Sequence, residues 1–238
     1  MFLQHARHAF LAAACVSVLA LAGPAGADSL IVNGSFEDPV VPDGSYTNFL
    51  AGSTAITGWQ VVGIDSAVTS GTFTQNGVVF NAQSGKQWLD LAGVTSNSKL
   101  SGVTQSVGTL VGATYELTFY VGSADDKTFF FPTTVDLSID GGARASYTNP
   151  TAPRNSLDWK QFTFDFTASK TLTNITFFNG SEPNNFLSGL DNVALNRLNS
   201  PTATPEPGSL AVLCLGLSAL GACAAVRRRK MPVSPPKA

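Results

Sequence analysis

Histidine and cysteine, the side chains that most often do chemistry, are confined to the two ends of this 238-residue chain. His5, His8 and Cys15 precede residue 28, and Cys214 and Cys223 sit in an apolar run near the C-terminus. The stretch 28–203 has neither residue. It therefore has no disulfide framework, no zinc site of His and Cys, no Ser-His-Asp triad and no Cys-His pair. What remains for catalysis is a carboxylate pair of the glycosidase kind, and no spacing of acidic residues singles one out. What remains for binding is carboxylates as cation ligands and aromatic rings as platforms for sugars. Of the 16 acidic and 14 basic residues, 15 and eight fall in 28–203, which gives that stretch a charge near −7. Nucleic acid and anionic membrane surfaces do not suit such a domain; cations and neutral polymers do.

The rings must be placed by the elements that carry them. No long stretch of period 3.6 follows residue 28; short alternating runs recur between Gly, Asn, Asp, Ser and Pro. Strands are expected at 29–32, 58–62, 86–91, 99–107, 113–121, 134–140, 143–148, 159–167, 172–178 and 190–198, with Gly141-Gly142 as a two-residue hairpin turn. In the run at 113–121, Tyr115, Leu117, Phe119 and Val121 fall on one side and Glu116, Thr118 and Tyr120 on the other. Phe162, Phe164 and Phe166 oppose Gln161, Thr163 and Asp165 in the same way. One apolar face per strand makes the fold all-β, an antiparallel β-sandwich of jelly-roll type.

By the same alternation Trp88 shares an outward face with Lys86 and Asp90, while Gln87 falls inward and does not fit a binding face. Tyr120 shares its outward face with Glu116. Phe129, Phe130 and Phe131 crowd one loop, and Asn184, Asn185 and Phe186 form another. Trp88, Tyr120, Phe129, Phe130, Phe131 and Asn185 are the residues expected to hold a glycan; the competing reading has the rings capping sandwich ends. Trp59 reads as core or rim packing and Trp159 as cover for a sheet edge. The sequons at Asn33, Asn174 and Asn179 read as turn composition.

The ends are signals. Residues 1–27 carry a short basic stretch around Arg7, an apolar core and Ala25-Gly26-Ala27, a signal peptide cut after Ala27. A lipoprotein box at Cys15 is the weaker reading, because Ala12 stands where such a box has Leu. The domain then runs over 28–199. A linker at 200–209 holds Pro205, Glu206 and Pro207, and 210–226 is an uncharged run read as a single hydrophobic helix. At ~1.5 Å per residue that helix is roughly 25 Å long, the short limit for crossing a bilayer. Arg227, Arg228, Arg229 and Lys230 open the basic end at 227–238 and set its orientation.

This order of hinge, span and basic stop resembles the PEP-CTERM sorting signal of Gram-negative bacteria, with Thr204 in place of the commoner Val. The resemblance implies an exosortase as processing partner, cleavage near Pro205-Glu206-Pro207, transient anchoring in the membrane, and delivery to the envelope or matrix. Six phrases of the domain, LIVNGSFEDP, ITGWQVV, SGKQWLDLAG, GVTQSV, GATYELTFYVG and GLDNVAL, resemble the choice-of-anchor C family and its plant cell-wall relatives. That family implies a galactose-binding-like jelly roll, distantly similar to carbohydrate-binding modules. It also implies a structural calcium ion held by Glu37 and Asp191 where first and last strands meet. Turn or surface carboxylates without metal are the equal alternative. The function expected is an exported matrix protein that binds extracellular polysaccharide without being an enzyme; a purely structural or adhesive matrix protein, and a carboxylate glycosidase, are the alternatives.

Overall fold

The structure, a computed structural model, describes residues 29–198 apart from 96, 126–131 and 152. The expected signal peptide, linker, apolar run and basic tail, and Phe129, Phe130 and Phe131, lie outside the described residues. Among the described residues every element is a strand: β1 (Tyr46–Leu50), β2 (Gln60–Val62), β3 (Asp65–Ser70), β4 (Thr74–Gln75), β5 (Val78–Val79), β6 (Gln87–Asp90), β7 (Gly102–Gly108), β8 (Thr114–Ser123), β9 (Thr133–Ile139), β10 (Ala145–Asn149), β11 (Asp158–Thr167), β12 (Leu172–Asn179) and β13 (Gly189–Arg197). A six-stranded sheet, β1-β3-β6-β13-β8-β11, packs on a five-stranded one, β10-β9-β12-β7-β2, with β4-β5 as a small separate hairpin. The named strands pair antiparallel throughout, so the expected β-sandwich is what forms.

Alternation builds the main core. Tyr115, Leu117, Phe119 and Val121 of β8 are buried, and Phe162, Phe164 and Phe166 of β11 pair in register with Phe119, Leu117 and Tyr115. Phe119 meets Phe177 of the opposite sheet edge-on, ring centres 5.0 Å apart, and Trp59 lies 6.3 Å from the same ring. Each buried ring or Leu side chain contributes about 1.5–3 kcal/mol, and the aromatic pairs add to it. Trp59 is buried as expected, its indole N–H donating to Asn33 O at 3.1 Å.

Two local expectations need correction. Residues 29–32 form bends rather than a strand: Leu30 N donates to Leu195 O, but Gln105 then takes over, accepting from Val32 N at 2.8 Å and donating to Val32 O at 3.0 Å. The hairpin after β9 turns one residue earlier, on Asp140 and Gly141, both at positive φ, with Gly142 N donating to Ile139 O. Four strands, β1, β3, β4 and β5, fall outside the runs that alternation picks out. β3 is buried along its whole length because a second, smaller core covers the outer face of the six-stranded sheet. That core joins Val78, Phe80, Trp88, Ala124, Leu157 and Leu187.

The two ends of the sandwich differ. Gly108, Thr114, Leu172 and Arg197 lie at one, which is where the described chain leaves. Gly102, Ser123, Asn179 and Gly189 lie at the other.

Candidate aromatic cleft and carboxylate pair

On the outer face of the six-stranded sheet, register brings Tyr46, Thr69 and Trp88 into one row and Ala67, Asp90, Gly189 and Gly122 into the next. The segment carrying β4 and β5 folds back over them. Its Phe80 stacks on Trp88 at 6.2 Å, and the Trp88 indole N–H donates to Phe80 O at 2.8 Å. Phe73 packs on Phe80 at 5.5 Å and meets Tyr46 edge-on at 5.5 Å. Trp159 lies across Gly122, where any Cβ would come within 2.8 Å of its ring, and meets Trp88 edge-on at 6.0 Å. The covering segment leaves a cleft of about 250 Å³ between Tyr46, Phe73, Trp88, Asp90 and Phe186, towards the end away from the chain exit. The Tyr46 and Phe186 rings stay open to solvent, 42% and 51% exposed.

Asp90 is the carboxyl among the described residues lining this cleft. Its Oδ1 accepts from Ala92 N and Ser188 N, each at 3.0 Å. Burial pushes it up to about 7, with the nearby Asp65 adding to the rise and the two N–H donors opposing it. Asp65 behaves in the opposite way. Burial alone would raise it, but donors from Val94 N, Thr95 N, the Thr95 hydroxyl and the Asn48 side chain hold its carboxyl below the ordinary value. The cleft thus presents one carboxyl whose burial favours the protonated form beside aromatic rings and Gln75, while the Asp65 carboxylate is engaged by its own donors.

Glu37 and Asp191 converge on the loop at 83–87. Glu37 Oε1 accepts from Lys86 N at 2.7 Å and Gln87 N at 2.8 Å. Asp191, fully buried, accepts from Gln83 N and Ser84 N through Oδ2 and from Asn192 N through Oδ1. Burial raises Asp191 to about 7, its three N–H donors pull it down, and the Glu37 charge raises it further. Calcium takes six to eight oxygens. The two carboxylates are close enough to repel, and no described residue donates to Glu37 Oε2, so the donor chemistry suits a cation. Among the described residues, though, no group of three or more His, Cys, Asp or Glu is arranged around a metal. Any remaining ligands must be carbonyls or water. A broader cleft of about 530 Å³ opens beside Glu37, over Asp43, Lys86 and Gln87, and has no aromatic lining.

The expected glycan residues separate. Trp88 does face outward, yet it is 1% exposed, because the second core covers it; it is cleft floor, not an open platform. Asn185 is buried and structural: its Nδ2 donates to Pro132 O and Thr133 Oγ1, and its Oδ1 accepts from Leu187 N. Tyr120 is half-buried beside Asp191 and Gln161, outside the aromatic cleft. Gln87, inward as alternation requires, clamps the N-terminal segment by donating to Phe36 O and Pro39 O and accepting from Val41 N. Trp159 sits on edge strand β11, half-buried against the second core. Tyr46, Phe73 and Phe80 are cleft residues that sequence reasoning missed. The alternation of Phe73, Gln75 and the later Phe80 around Asn76-Gly77 was the available signal.

The chain is similar to several known proteins. The family profile described as "Protein of unknown function (DUF642)" matches residues 29–196, and the PEP-CTERM protein-sorting motif matches 203–230. Halomucin of Haloquadratum walsbyi is 31% identical over 186 residues; the match takes in 75% of this chain and only 2% of Halomucin. Among solved structures, the cyclase FisC from Fischerella is 20% identical with a TM-score of 0.50, covering 71% of this chain and 97% of its own. The CBM22-1 xylan-binding domain of Paenibacillus barcinonensis Xyn10C is 13% identical with a TM-score of 0.40, covering 67% and 99%. The motif marks an exosortase-sorted, envelope-associated protein. With the profile covering nearly the whole described sandwich, the chain belongs to the DUF642 family and ends in a PEP-CTERM sorting motif.

Proposed function

We propose that this surface protein holds extracellular polysaccharide in the aromatic cleft and does no chemistry on it. The observation that carries the reading is the placement of two open rings, Tyr46 and Phe186, around Asp90 and Gln75. Sugars present apolar faces that stack on rings and hydroxyls that bond to carboxyl and amide groups. Asp90, held towards its protonated form by burial, both donates and accepts when neutral, which suits an uncharged glycan. Glycoside hydrolysis needs two carboxyls roughly 5–10 Å apart across the scissile bond. Asp65, the neighbour of Asp90, is fully buried and bonded to Val94 and Thr95, which favours binding over hydrolysis. Each stacked ring contributes ~1–2 kcal/mol, so one cleft binds weakly, and retention comes from many copies on a repeating polymer. The cleft lies away from the chain exit, so a domain tethered by its C-terminus presents it outward. The test is a pull-down with exopolysaccharide from the producing cell, comparing wild type with Tyr46→Ala and Phe186→Ala. Loss in both variants at unchanged melting temperature supports the cleft. Equal retention removes it, and no retention by wild type leaves a structural matrix protein.

A calcium ion between Glu37 and Asp191 belongs to the same reading. It would tie the N-terminal segment to the last strand and to the loop at 83–87, and neutralise two facing carboxylates. Its role is structural, since neither residue lines the aromatic cleft.

A further inference from the structure

Turns in this domain are mostly polar: Asp43-Gly44, Asn76-Gly77 and Asp140-Gly141. The turn between β7 and β8 is not. Ala113 N donates to Leu110 O at 3.0 Å and Gly112 sits at φ 80°, a type II turn that opens on Leu110 and has Val111 and Gly112 at its corners. Their side chains are 56% and 63% exposed. The turn is held rigid. Tyr115 OH accepts from Leu110 N at 2.9 Å, Gly112 N donates to Ala168 O, and Thr109 N donates to Thr171 O. The start of β12 adds Leu172, 55% exposed and paired with Gly108. Leu198, 47% exposed, is fixed beside them through Leu198 N and Thr114 O. Four open apolar side chains thus occur at the end from which the chain departs. Leu198 is followed by 11 residues before the uncharged run at 210–226. Fully extended, that connection reaches at most ~40 Å; as a flexible coil it spans roughly 20 Å.

We propose that this end of the sandwich rests on the bilayer surface through Leu110, Val111 and Leu172 until the tail is removed, holding the opposite, cleft-bearing end outward. The proposal rests on the reading of 210–226 as a segment that enters the bilayer. The contact is apolar, in keeping with the domain's negative charge, and Lys170, the cation nearest Leu172 in sequence, is already paired with Asp140 at 3.5 Å. Contact this weak is sufficient because the tether supplies a high effective concentration.

The full chain is reconstituted into zwitterionic phosphatidylcholine vesicles, with and without brominated acyl chains, as wild type, Val111→Trp, Leu172→Trp and Leu100→Trp. Leu100 is 62% exposed at the opposite end and serves as the internal comparison. Emission above the wild-type background should be about twofold dimmer in brominated vesicles for Val111→Trp and Leu172→Trp, since interfacial groups sit at the acyl boundary, and unchanged for Leu100→Trp. A chain that floats with the vesicles yet shows no quenching at either 111 or 172, or equal quenching at 100, overturns the docking and leaves membrane insertion standing. A chain that does not float overturns the insertion reading and the docking with it.

Discussion

Between pH 5 and pH 8 the domain should lose stability through Asp90, and Asp90→Asn should remove that loss. The folded-state carboxyl titrates near 7 against 3.8 when free, so the folded state binds more protons than the unfolded state across the interval. Stability therefore falls as pH rises towards the folded value. Linkage over pH 5–8 gives a loss of about 2–3 kcal/mol from this one group, an upper figure because one edge of Asp90 meets the cleft. For a domain of this size that is a fall of about 5–10 °C in melting temperature. Asparagine keeps the carbonyl oxygen that accepts from Ala92 N and Ser188 N, so the variant should fold. Calorimetric scans in chelator at pH 5, 6, 7 and 8 give the gap between wild type and Asp90→Asn, which cancels contributions from other groups. The gap should move in the variant's favour with rising pH. A constant gap, or one moving the other way, would refute the assignment of a neutral, desolvated Asp90.

Four further outcomes follow. Chelation should lower the wild-type melting temperature at pH 8 and leave Asp191→Ala unmoved; calcium at ~100 times its dissociation constant adds about 2.7 kcal/mol to whichever protein binds it only when folded. Trp88→Ala should cost about 3–5 kcal/mol in denaturant unfolding, by emptying the second core and stripping Phe80 O of its donor. Gly93→Ala should destabilise by about 1–3 kcal/mol, because φ is 66° there and a Cβ would come 2.5 Å from the Asp65 carboxyl. Mass spectrometry of protein from the native cell surface should find no peptide beyond about Pro207; intact chains retaining Arg227 as the only form would contradict processing.

The sandwich was legible because most strands bury one face only. In β8 and β11 each apolar position is followed by a polar one, so faces, register and core rings follow from period two. β3 was not legible for the opposite reason. Its sequence, DSAVTS, is buried on both sides, and its Ser and Thr side chains find partners indoors, as Ser66 Oγ does by donating to Gly102 O at 3.3 Å. The same cause hid the cleft. Alternation correctly turned Trp88 away from the main core, but whether an outward ring meets water depends on which distant segment folds over it, and the cover comes from the β4-β5 stretch. Asn185 shows the converse: an Asn in a turn-rich loop reads as available, while its amide is committed to Pro132 O and Leu187 N. Glu37 and Asp191 both reach the loop at 83–87, a convergence that the sequence pattern does not give; Gly85 at φ 69° lets the backbone there pass against the Glu37 carboxylate.

The central claim, that the open rings of the aromatic cleft bind sugar, is tested most directly by isothermal titration of short exopolysaccharide oligomers into the folded domain. Wild type should bind with a dissociation constant on the order of millimolar, as two stacked rings and a few hydrogen bonds allow. Phe186→Ala should weaken binding about tenfold, corresponding to the loss of roughly 1.4 kcal/mol from one ring, with no change in melting temperature. Undiminished binding by Phe186→Ala and Tyr46→Ala alike would contradict the claim.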